Sequence, residues 1–323
     1  MKTNIAVIYG GRSGEHEISL RSAESIMSAL DPERYSVIRY FINKEGRWSP
    51  RAITPEPGRH PEIDVVFPVL HGTFGEDGTV QGLLEMADLP YVGPGVLASA
   101  ASMDKEVAKR LLLQSGVPVV EYITVGSPEE ASRNPFEYPV FVKPANLGSS
   151  VGISKAKSEE ELRVAIAVAR QYDTKVIVER AIVGMELECA VLGNLEDVQA
   201  SVPCEILPSR EFYDYEDKYL LNKSAVNLPA PLSDEQTAEL RRIAADAYRA
   251  LLCEGMSRVD FLLEKSTGKL YVNEVNTIPG FTSISMYPKM WEYSGFSYAA
   301  LLDRLIELAL ARHARRQSLR FTR

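Results

Sequence analysis

The sequence predicts an α/β protein with an α+β C-terminal part, and three observations support this fold class. Apolar strands such as "NIAVIYGG" and "IDVVFPVL" alternate with helical stretches at a spacing typical of parallel β–α–β units. From Leu187 onward, strands follow one another with few helices between them. The 323 residues, 45% of them hydrophobic, can bury a sizeable core in one to three domains.

The first predicted unit is a parallel sheet with a helix on one face. The strand "NIAVIYGG" ends at Gly10 and Gly11, and "EHEISLRSAESIMSAL" then places Ile18 and Ile26 on one side of a helix. "YSVIRYFI" and "IDVVFPVL" are the next strands. The Gly/Pro break "LPYVGPG" ends the unit, so we predict an N-terminal domain over residues 1–100.

The second predicted unit is a smaller α/β domain over residues 101–186. "SMDKEVAKRLLLQSGVPVV" reads as a helix that runs into a strand. "YPVFVKPA" and "TKVIVER" are apolar strands on either side of a helix at Glu159–Tyr172.

The third predicted unit, residues 187–323, is rich in strands. "LECAVLG" and "VQASVPCEIL" come first, and the polar, Tyr-rich segment "PSREFYDYEDKYLLNKSA" follows. Segments of this length without a core of their own are usually lids or disordered, so we expect a lid over residues 209–225. A helix at Asp234–Leu252, the hairpin "RVDFLLE"/"KLYVNEVNT" and the amphipathic helix "SYAALLDRLIELALARH" complete the unit.

Composition excludes several classes of partner. The formal charge of −8 argues against nucleic acid as the main partner, because phosphate neutralisation requires a basic surface. No apolar run approaches the length that spans a bilayer, and "MKTNIAVIYGG" is too short for a secretory signal, so we expect a cytoplasmic protein. Cys189, Cys204 and Cys253 lack metal-binding spacing and are expected to be free thiols.

The predicted hairpin carries an unusual set of polar side chains. Alternation places Arg258 with Asp260 on one strand face, and Glu274 with Asn276 on the other strand's face. Burying unpaired carboxylates costs several kcal/mol each, so such a cluster implies a cation, and oxygen ligands suit Mg²⁺ or Mn²⁺. A solvated edge hairpin with surface acids fits the spacing equally well.

Two further motifs suggest phosphate or substrate contacts. "FVKPANLGSSVGISK" places Lys143 before a Gly/Ser turn that could approach phosphate, although a plain loop is the commoner meaning and the Walker A pattern is absent. In "GGRSGEHE" the first glycine of the dinucleotide fingerprint is replaced by Tyr9, which argues against a dehydrogenase. Glu15 there could meet a substrate ammonium or simply complement a helix dipole.

Two other polar residues lie in suggestive places. His71 follows a strand end, where open α/β sheets bind ligands, but it could be an ordinary packed histidine. Glu186 in "VERAIVGMELE" could bind a ribose or be a surface acid on a strand.

The order of these motifs resembles the ATP-grasp superfamily. Within it, "HGTFGEDGTVQGLLE", "SMDK", "VKPANLGSSVG", "FYDYEDKY", "RVDF" and "NEVNTIPGFTSIS" resemble the D-alanine–D-alanine ligase family, from Ile5 to about Leu310. The resemblance implies an ATP-grasp fold. In it, an N-terminal parallel α/β domain binds substrate, and nucleotide is held between the small central and larger C-terminal domains.

The resemblance also implies the residues that hold nucleotide and metal. Two Mg²⁺ or Mn²⁺ ions would be held by Asp260, Glu274 and Asn276. The family often has a lysine where Arg180 stands. The ATP-binding residues implied are Lys105, Lys143, Ser149, Glu179, Arg180, Ile182, Glu186, Lys218, Asn273 and Glu274.

For the amino-acid substrates, the resemblance implies two neighbouring sites. Glu15 would bind the first D-alanine and form a trio with Ser149 and Tyr219 that anchors the lid, with His71 near the substrate carboxylate. The second D-alanine would be bound by Arg258, Gly280, Ser285 and Met286. The implied catalytic residues are Glu15, Ser149, Tyr219, Arg258, Gly280 and Ser285.

The implied activity is ATP-dependent ligation of two D-alanine molecules through an acyl phosphate, for peptidoglycan precursor synthesis. A homodimer formed through the N-terminal unit is also implied. Three alternatives stay open: a ligase that uses D-lactate or D-serine as the second substrate, another ATP-grasp carboxylate–amine ligase, and a nucleotide-sensing protein without enzymatic activity.

Overall fold

The computed structural model describes residues 2–148, 151–207 and 225–320. Within these ranges the strands form three sheets, and the predicted boundary between residues 186 and 187 falls inside a strand of the third sheet, Gly184–Gly193. Among the helices of these residues, none combines the length and apolar character needed to cross a membrane.

The first sheet is mainly parallel, as predicted. It contains β1 (Thr3–Gly10), β2 (Tyr35–Ile42), β3 (Trp48–Ser49) and β4 (Val65–Val69), in the order β3–β2–β1–β4. β1 pairs in parallel with β2 and β4, and only β3 runs antiparallel. Between β1 and β2 the chain forms α1 (His16–Ala29), whose buried side recurs every three or four residues.

Three helices lead from the first unit into the second, and the sequence predicted only the last of them. They are α2 (Thr79–Met86), α3 (Val96–Met103) and α4 (Lys105–Gln114). The central sheet is antiparallel, in the order β5–β8–β6–β7, and α5 covers it. Its elements are β5 (Tyr122–Val125), a 3₁₀ helix (Pro128–Arg133), β6 (Val140–Pro144), β7 (Ser154–Ala156), α5 (Glu159–Ala169) and β8 (Val176–Arg180).

The third sheet has the order β12–β11–β9–β13–β14, with β10 paired to β9. Its strands are β9 (Gly184–Gly193), β10 (Gln199–Ala200), β11 (Cys204–Leu207), β12 (Ala225–Asn227), β13 (Gly255–Glu264) and β14 (Leu270–Asn276). The helices of this unit are α6 (Asp234–Ala250), α7 (Met286–Tyr293) and α8 (Tyr298–Gln317). One core joins this unit to the first sheet, because Phe67 of β4, Phe281 and Leu305 of α8 belong to the same buried cluster, and the rings of Phe67 and Phe281 meet edge to face.

Helix α4 is fixed against the central sheet at its first residue. Asp104 caps the helix by accepting hydrogen bonds from the backbone of Glu106 and Val107. Lys175, which precedes β8, lies 2.6 Å from Oδ2 of Asp104, and the Lys105 amide donates to the carbonyl of Ala145 at 2.9 Å. The helix therefore presents its side chains to the central sheet in a defined register.

A β-bulge in β14 changes which side chains face each side of the hairpin. Asp260 pairs with Glu274, but the next residue of β13 pairs with Val272, so Asn273 is the extra residue. An extra residue breaks the strict alternation of a strand. As a result Val272 and Val275 both enter the core, while Asn273 and Glu274 both line a cavity on the other side.

Several element predictions need correction. "VQASVPCEIL" forms two short strands, β10 and β11, and Pro203, which has no amide hydrogen to donate, lies in the break between them. "GVPVV" forms only an isolated bridge, Val119 with Val272, and the predicted strand begins later, at Tyr122. The prediction of free thiols is confirmed, since all three cysteines are buried without a disulfide.

Candidate active site

A cavity of about 460 Å³ separates the central sheet from the C-terminal sheet. Strands β6 and β8 line one side, and β9, β13 and β14 line the other. Its lining includes most of the residues predicted to bind nucleotide and metal, namely Lys105, Lys143, Glu179, Arg180, Ile182, Glu186, Asp260, Asn273 and Glu274. The structure therefore brings together side chains that are far apart in sequence.

Two lysines project from one face of α4 towards this region. Lys105 Nζ lies 3.3 Å from Oε2 of Glu274 and donates to the Leu147 carbonyl at 2.6 Å. Lys109 is one helical turn later, which places it on the same face. Its Nζ lies 2.9 Å from Oε1 of Glu179.

Glu179 lies between two lysines and is only 2% exposed. Lys143 Nζ lies 2.7 Å from its Oε2 and also donates to Asn273 Oδ1 at 3.0 Å. Burial alone would raise the pKa of Glu179, but Lys109 and Lys143 outweigh it and lower the pKa to about 2. Glu179 is therefore ionised at neutral pH although it is buried, so it is not a surface acid.

The two lysines respond differently to the same carboxylate. Burial lowers the pKa of Lys109, and its attraction to Glu179 only partly offsets this effect. For Lys143, burial is again the largest single cause and acts to lower the pKa, but Glu179, Glu274 and Glu186 together outweigh it and raise the pKa. Lys143 therefore stays fully protonated in the cavity wall.

The polar face of the hairpin is held together by charge-assisted hydrogen bonds. Arg258 donates from Nε and Nη2 to the two oxygens of Asp260, each at 2.6 Å. Asn276 Nδ2 donates to Oδ2 of the same carboxylate at 3.0 Å. Arg258 Nε also lies 3.3 Å from Oε2 of Glu188 on β9. These side chains are mostly buried, which argues against a solvated edge hairpin.

The hairpin residues fit a site for a hard divalent cation. Within the described ranges, no group of three or more His, Cys, Asp or Glu side chains is arranged to hold a metal. Asp260 and Glu274 face each other across the register and both line the cavity, and Asn276 follows on the same face. The side-chain oxygen of the Asn276 amide could serve as a third oxygen donor, a type that suits Mg²⁺ or Mn²⁺.

The side chain of Arg180 is engaged outside the nucleotide contacts predicted for it. Its Nη1 lies 2.6 Å from Glu264, its Nε lies 2.5 Å from Glu121, and its guanidinium faces the ring of Tyr271. This arrangement joins β8 to the hairpin at the rim of the cavity. The backbone from 180 to 182 remains in the lining, together with Glu186.

The predicted first-substrate residues lie where loops from the N-terminal unit approach this cavity. A Cβ atom added at Gly72 would lie 2.7 Å from Oε2 of Glu15, and one added at Gly148 would lie 3.7 Å from the same oxygen. Gly72 adopts a φ of +73°, a conformation that favours glycine, and a larger residue there would collide with Glu15. Gly148 is itself in the cavity lining, so Glu15 borders the nucleotide region.

His71 is buried and both of its ring nitrogens contact protein. Nδ1 lies 3.1 Å from the Ile278 carbonyl, and because a carbonyl only accepts, Nδ1 carries the proton. Nε2 lies 3.2 Å from the Ser22 hydroxyl. Burial lowers the pKa of His71, although Glu15 acts in the opposite direction, so the ring is neutral at pH 7. Contact with a substrate carboxylate stays a prediction.

Glu76, which the sequence did not single out, holds the same loop from the other side. Its Oε1 accepts from the Ile278 amide at 3.2 Å and its Oε2 accepts from Gly72 at 2.7 Å. Burial raises the pKa of Glu76 to about 8, and the nearby Glu15 contributes to the increase. Arg258 acts in the opposite direction on this pKa, so Glu76 lies within electrostatic reach of both predicted substrate sites.

Two of the residues predicted for the second substrate, Gly280 and Ser285, lie in the loop before α7, while Arg258 lies on β13. The Ser285 hydroxyl accepts from the Thr282 amide at 3.0 Å and contacts the Thr282 hydroxyl at 2.8 Å. A Cβ atom at Gly280 would lie 2.7 Å from Ser285 Oγ, so glycine allows the backbone to lie this close to the Ser285 hydroxyl. Met286 begins α7 and is buried in the core shared with the N-terminal unit.

Some predicted residues lie outside the described part of the chain: Ser149, Lys218, Tyr219 and residues 209–224 of the predicted lid. Conversely, three residues at the site were missed by the sequence reasoning. They are Lys109, Glu188 and Glu76. Lys109 could have been found from the four-residue spacing after Lys105, and Glu188 from its alternation with Glu186 along β9.

Comparisons with known proteins find relatives over the whole length of the chain. A family profile described as the D-ala D-ala ligase C-terminus matches residues 111–307, and the corresponding N-terminus profile matches residues 4–60 and 50–94. The D-alanine–D-alanine ligase of Solibacter usitatus is 64% identical over 327 residues, covering 100% of each chain. That of Thermoanaerobacter sp. is 50% identical and covers 97% of this chain and 98% of the relative.

Solved structures share the fold. The D-alanine–D-alanine ligase from Coxiella burnetii gives a TM-score of 0.87 at 40% identity, covering 98% of this chain and 96% of that one. VanG D-Ala:D-Ser ligase from Enterococcus faecalis also gives 0.87, at 37% identity, covering 96% and 100%. The predicted ATP-grasp fold is confirmed. On the strength of the two profiles and these relatives, the chain belongs to the D-alanine–D-alanine ligase family.

Proposed function

We propose that this protein joins two D-alanine molecules to form D-alanyl-D-alanine, with conversion of ATP to ADP and phosphate, and so supplies a peptidoglycan precursor. One observation carries the proposal beyond family membership. The cavity places the lysines of α4 and β6 opposite the oxygen-bearing side chains of the β13–β14 hairpin. Triphosphate bound with a divalent cation requires this pairing of cationic and oxygen-rich walls.

The proposed nucleotide site uses both walls of the cavity. Lys105 and Lys143 contact the phosphates, joined by Lys218 and Ser149 from segments outside the described residues. Glu179 and the backbone at Arg180 and Ile182 bind the adenine, and Glu186 binds the ribose. Asn273 supports the phosphate end, because it already holds Lys143 at 3.0 Å.

The proposed metal ligands are Asp260, Glu274 and Asn276, and two Mg²⁺ or Mn²⁺ ions are expected. Such ions neutralise charge on the phosphate oxygens when bound. The protein contributes a rigid frame, because Arg258 and Asn276 hold the Asp260 carboxylate in a fixed orientation.

The proposed reaction has two steps. Glu15 holds the ammonium of the first D-alanine. The carboxylate of that D-alanine attacks the γ-phosphate of ATP, which forms an acyl phosphate and releases ADP. The amine of the second D-alanine then attacks the acyl carbon, phosphate leaves, and the amine proton is lost. Arg258 and the Gly280 amide stabilise the oxyanion between attack and departure, and Ser285 orients the substrate.

The domain limits 1–100, 101–186 and 187–323 are part of the same proposal, and the three sheets support them. Closure of residues 209–225, anchored by Tyr219 with Ser149 and Glu15, would protect the acyl phosphate from water. We also propose a homodimer formed through the N-terminal unit and a cytoplasmic location, where ATP is available.

The test is ADP formation by the purified protein with ATP and Mg²⁺, offered D-alanine, L-alanine, D-serine and D-lactate side by side. We expect release of ADP that depends on D-alanine and yields the dipeptide. The same rate of ADP release without any amino acid would reject the ligase function and favour a nucleotide-sensing protein.

A second candidate is a ligase that couples D-alanine to D-serine or D-lactate. The similarity to the D-Ala:D-Ser ligase from Enterococcus faecalis favours it. Mixed incubations of D-alanine with each second substrate decide between the two. A mixed product in excess of D-alanyl-D-alanine would establish the second candidate.

A further inference from the structure

Lys109 is a buried lysine that none of the proposed contacts requires. It is 2% exposed, and lysine is almost never buried to this degree unless it is paired. Three groups hold its ammonium: Glu179 at 2.9 Å, the Val120 carbonyl at 3.4 Å and the ring of Tyr122 at 5.6 Å. In the described part of the chain it does not line the nucleotide cavity, so it lies behind Glu179 as seen from that cavity.

A second lysine on Glu179 needs an explanation, because Lys143 already pairs with this carboxylate at 2.7 Å. Burying another ammonium costs desolvation energy, and the lowered pKa of Lys109 reflects that cost. Hydrophobic side chains of similar size fill such positions without it. The additional charge therefore points to a role other than packing.

The role follows from the charges of the three side chains. Lys143 and Glu179 alone form a pair without net charge, and such a pair attracts a phosphate only weakly. With Lys109 the group carries one net positive charge, and Lys143 is its member in the cavity wall. Lys109 thus offsets the carboxylate from behind, so that the charge of Lys143 is available to the cavity.

We propose, on the basis of the proposed function, that Lys109 is a positioning residue of the nucleotide site. Because Lys109 neutralises Glu179, the positive charge of Lys143 is available to bind the phosphates. It touches neither substrate nor metal and acts only through Glu179. A lysine that contacted the nucleotide directly would behave differently when Glu179 is changed, and this difference provides the test.

The experiment is a double-mutant cycle with Lys109→Met and Glu179→Gln, read out as binding of ADP with Mg²⁺ by calorimetry. Lys109→Met should weaken ADP binding on the order of tenfold, because Lys143 then becomes the sole counter-charge of Glu179 at 2.7 Å and is held back from the phosphates. In the Glu179→Gln background there is no carboxylate to offset, so adding Lys109→Met should change binding little. The KM for D-alanine should stay constant throughout.

Lys44→Met is the matched control, because it removes a lysine from an exposed ion pair with Glu17 at 2.8 Å. It should leave ADP binding unchanged. If Lys109→Met alone does not fold, comparison of the Glu179→Gln and double variants can still overturn the proposal; if it folds and binds ADP as tightly as the unchanged protein, the proposal fails. A further tenfold loss in the double variant would overturn the proposal and indicate direct contact or packing. Failure of the proposed function would appear instead as no D-alanine-dependent ADP release by the unchanged protein.

Discussion

Replacing Glu179 with glutamine should destabilise the protein in a way that depends on pH. The folded pKa is about 2 against an ordinary value of 4.5, because Lys109 and Lys143 flank the carboxylate. At about 1.4 kcal/mol per unit, the difference contributes about 3 kcal/mol at neutral pH. Since the folded pKa is the lower one, this stabilisation is complete above pH 4.5 and is lost as the pH falls towards 2. About 2 kcal/mol should remain at about pH 3.5.

The measurement is the free energy of unfolding in urea for both proteins at neutral pH and at about pH 3.5. Taking the difference between them removes the contribution of the other titrating groups. Glu17→Gln is the matched control, because its ion pair with Lys44 is exposed and should contribute less than about 1 kcal/mol. A difference between Glu179→Gln and the unchanged protein that is small, or equal at both pH values, would refute the ionised, lysine-flanked state of this carboxylate.

Three further substitutions test other parts of the site. Glu274→Gln removes the charge of a proposed metal ligand, which also pairs with Lys105 at 3.3 Å. Turnover should fall at least about a hundredfold and recover partly at high Mg²⁺, and near-normal activity at low Mg²⁺ would count against the proposed metal site. Glu188→Gln removes the charge of the carboxylate that lies 3.3 Å from Nε of Arg258, so Arg258 should be held less firmly. The KM for the second D-alanine, measured by steady-state kinetics, should rise about tenfold, while the ADP affinity measured by calorimetry should not change. Glu76→Gln removes a group whose pKa is raised to about 8 in the folded protein. Between pH 4.5 and 8 the folded state therefore binds a proton that the unfolded state has released, and the free energy of unfolding of the unchanged protein should fall by about 1.4 kcal/mol per pH unit relative to that of the variant. Thermal melts that shift in parallel over this range would contradict it.

Elements whose pattern is long or strongly apolar could be predicted from the sequence. β1, β4 and β8 are apolar strands, and α1 and α8 show a clear helical period, so all five were found. α2, α3 and α7 have only eight residues each, which is too short for a periodic pattern to emerge. The position of Pro203 could have shown that "VQASVPCEIL" does not form one continuous strand.

The candidate site could be predicted only where a residue's role follows from its own motif. The face shared by Asp260, Glu274 and Asn276 follows from the hairpin, and the structure has them on that face. The pairing of Lys109 with Glu179 joins a helix to a strand 70 positions later, and no local pattern indicates such a contact. Spacing does contain one unused signal: Leu270, Val272 and Val275 are separated by two and then three residues, which indicates a bulge.

The contacts at Ile278 explain how loops from different units act as one site. The peptide of this residue is held on its carbonyl side by His71 and on its amide side by Glu76, both from the loop after β4. That loop also contains Gly72, which borders Glu15, whereas Ile278 precedes Gly280 by two residues. A shift of the loop after β4, which contains Gly72, must therefore move the loop that contains Ile278 and Gly280. This linkage keeps the proposed acyl phosphate and the attacking amine in register through both steps, because neither loop can move alone without breaking a buried hydrogen bond.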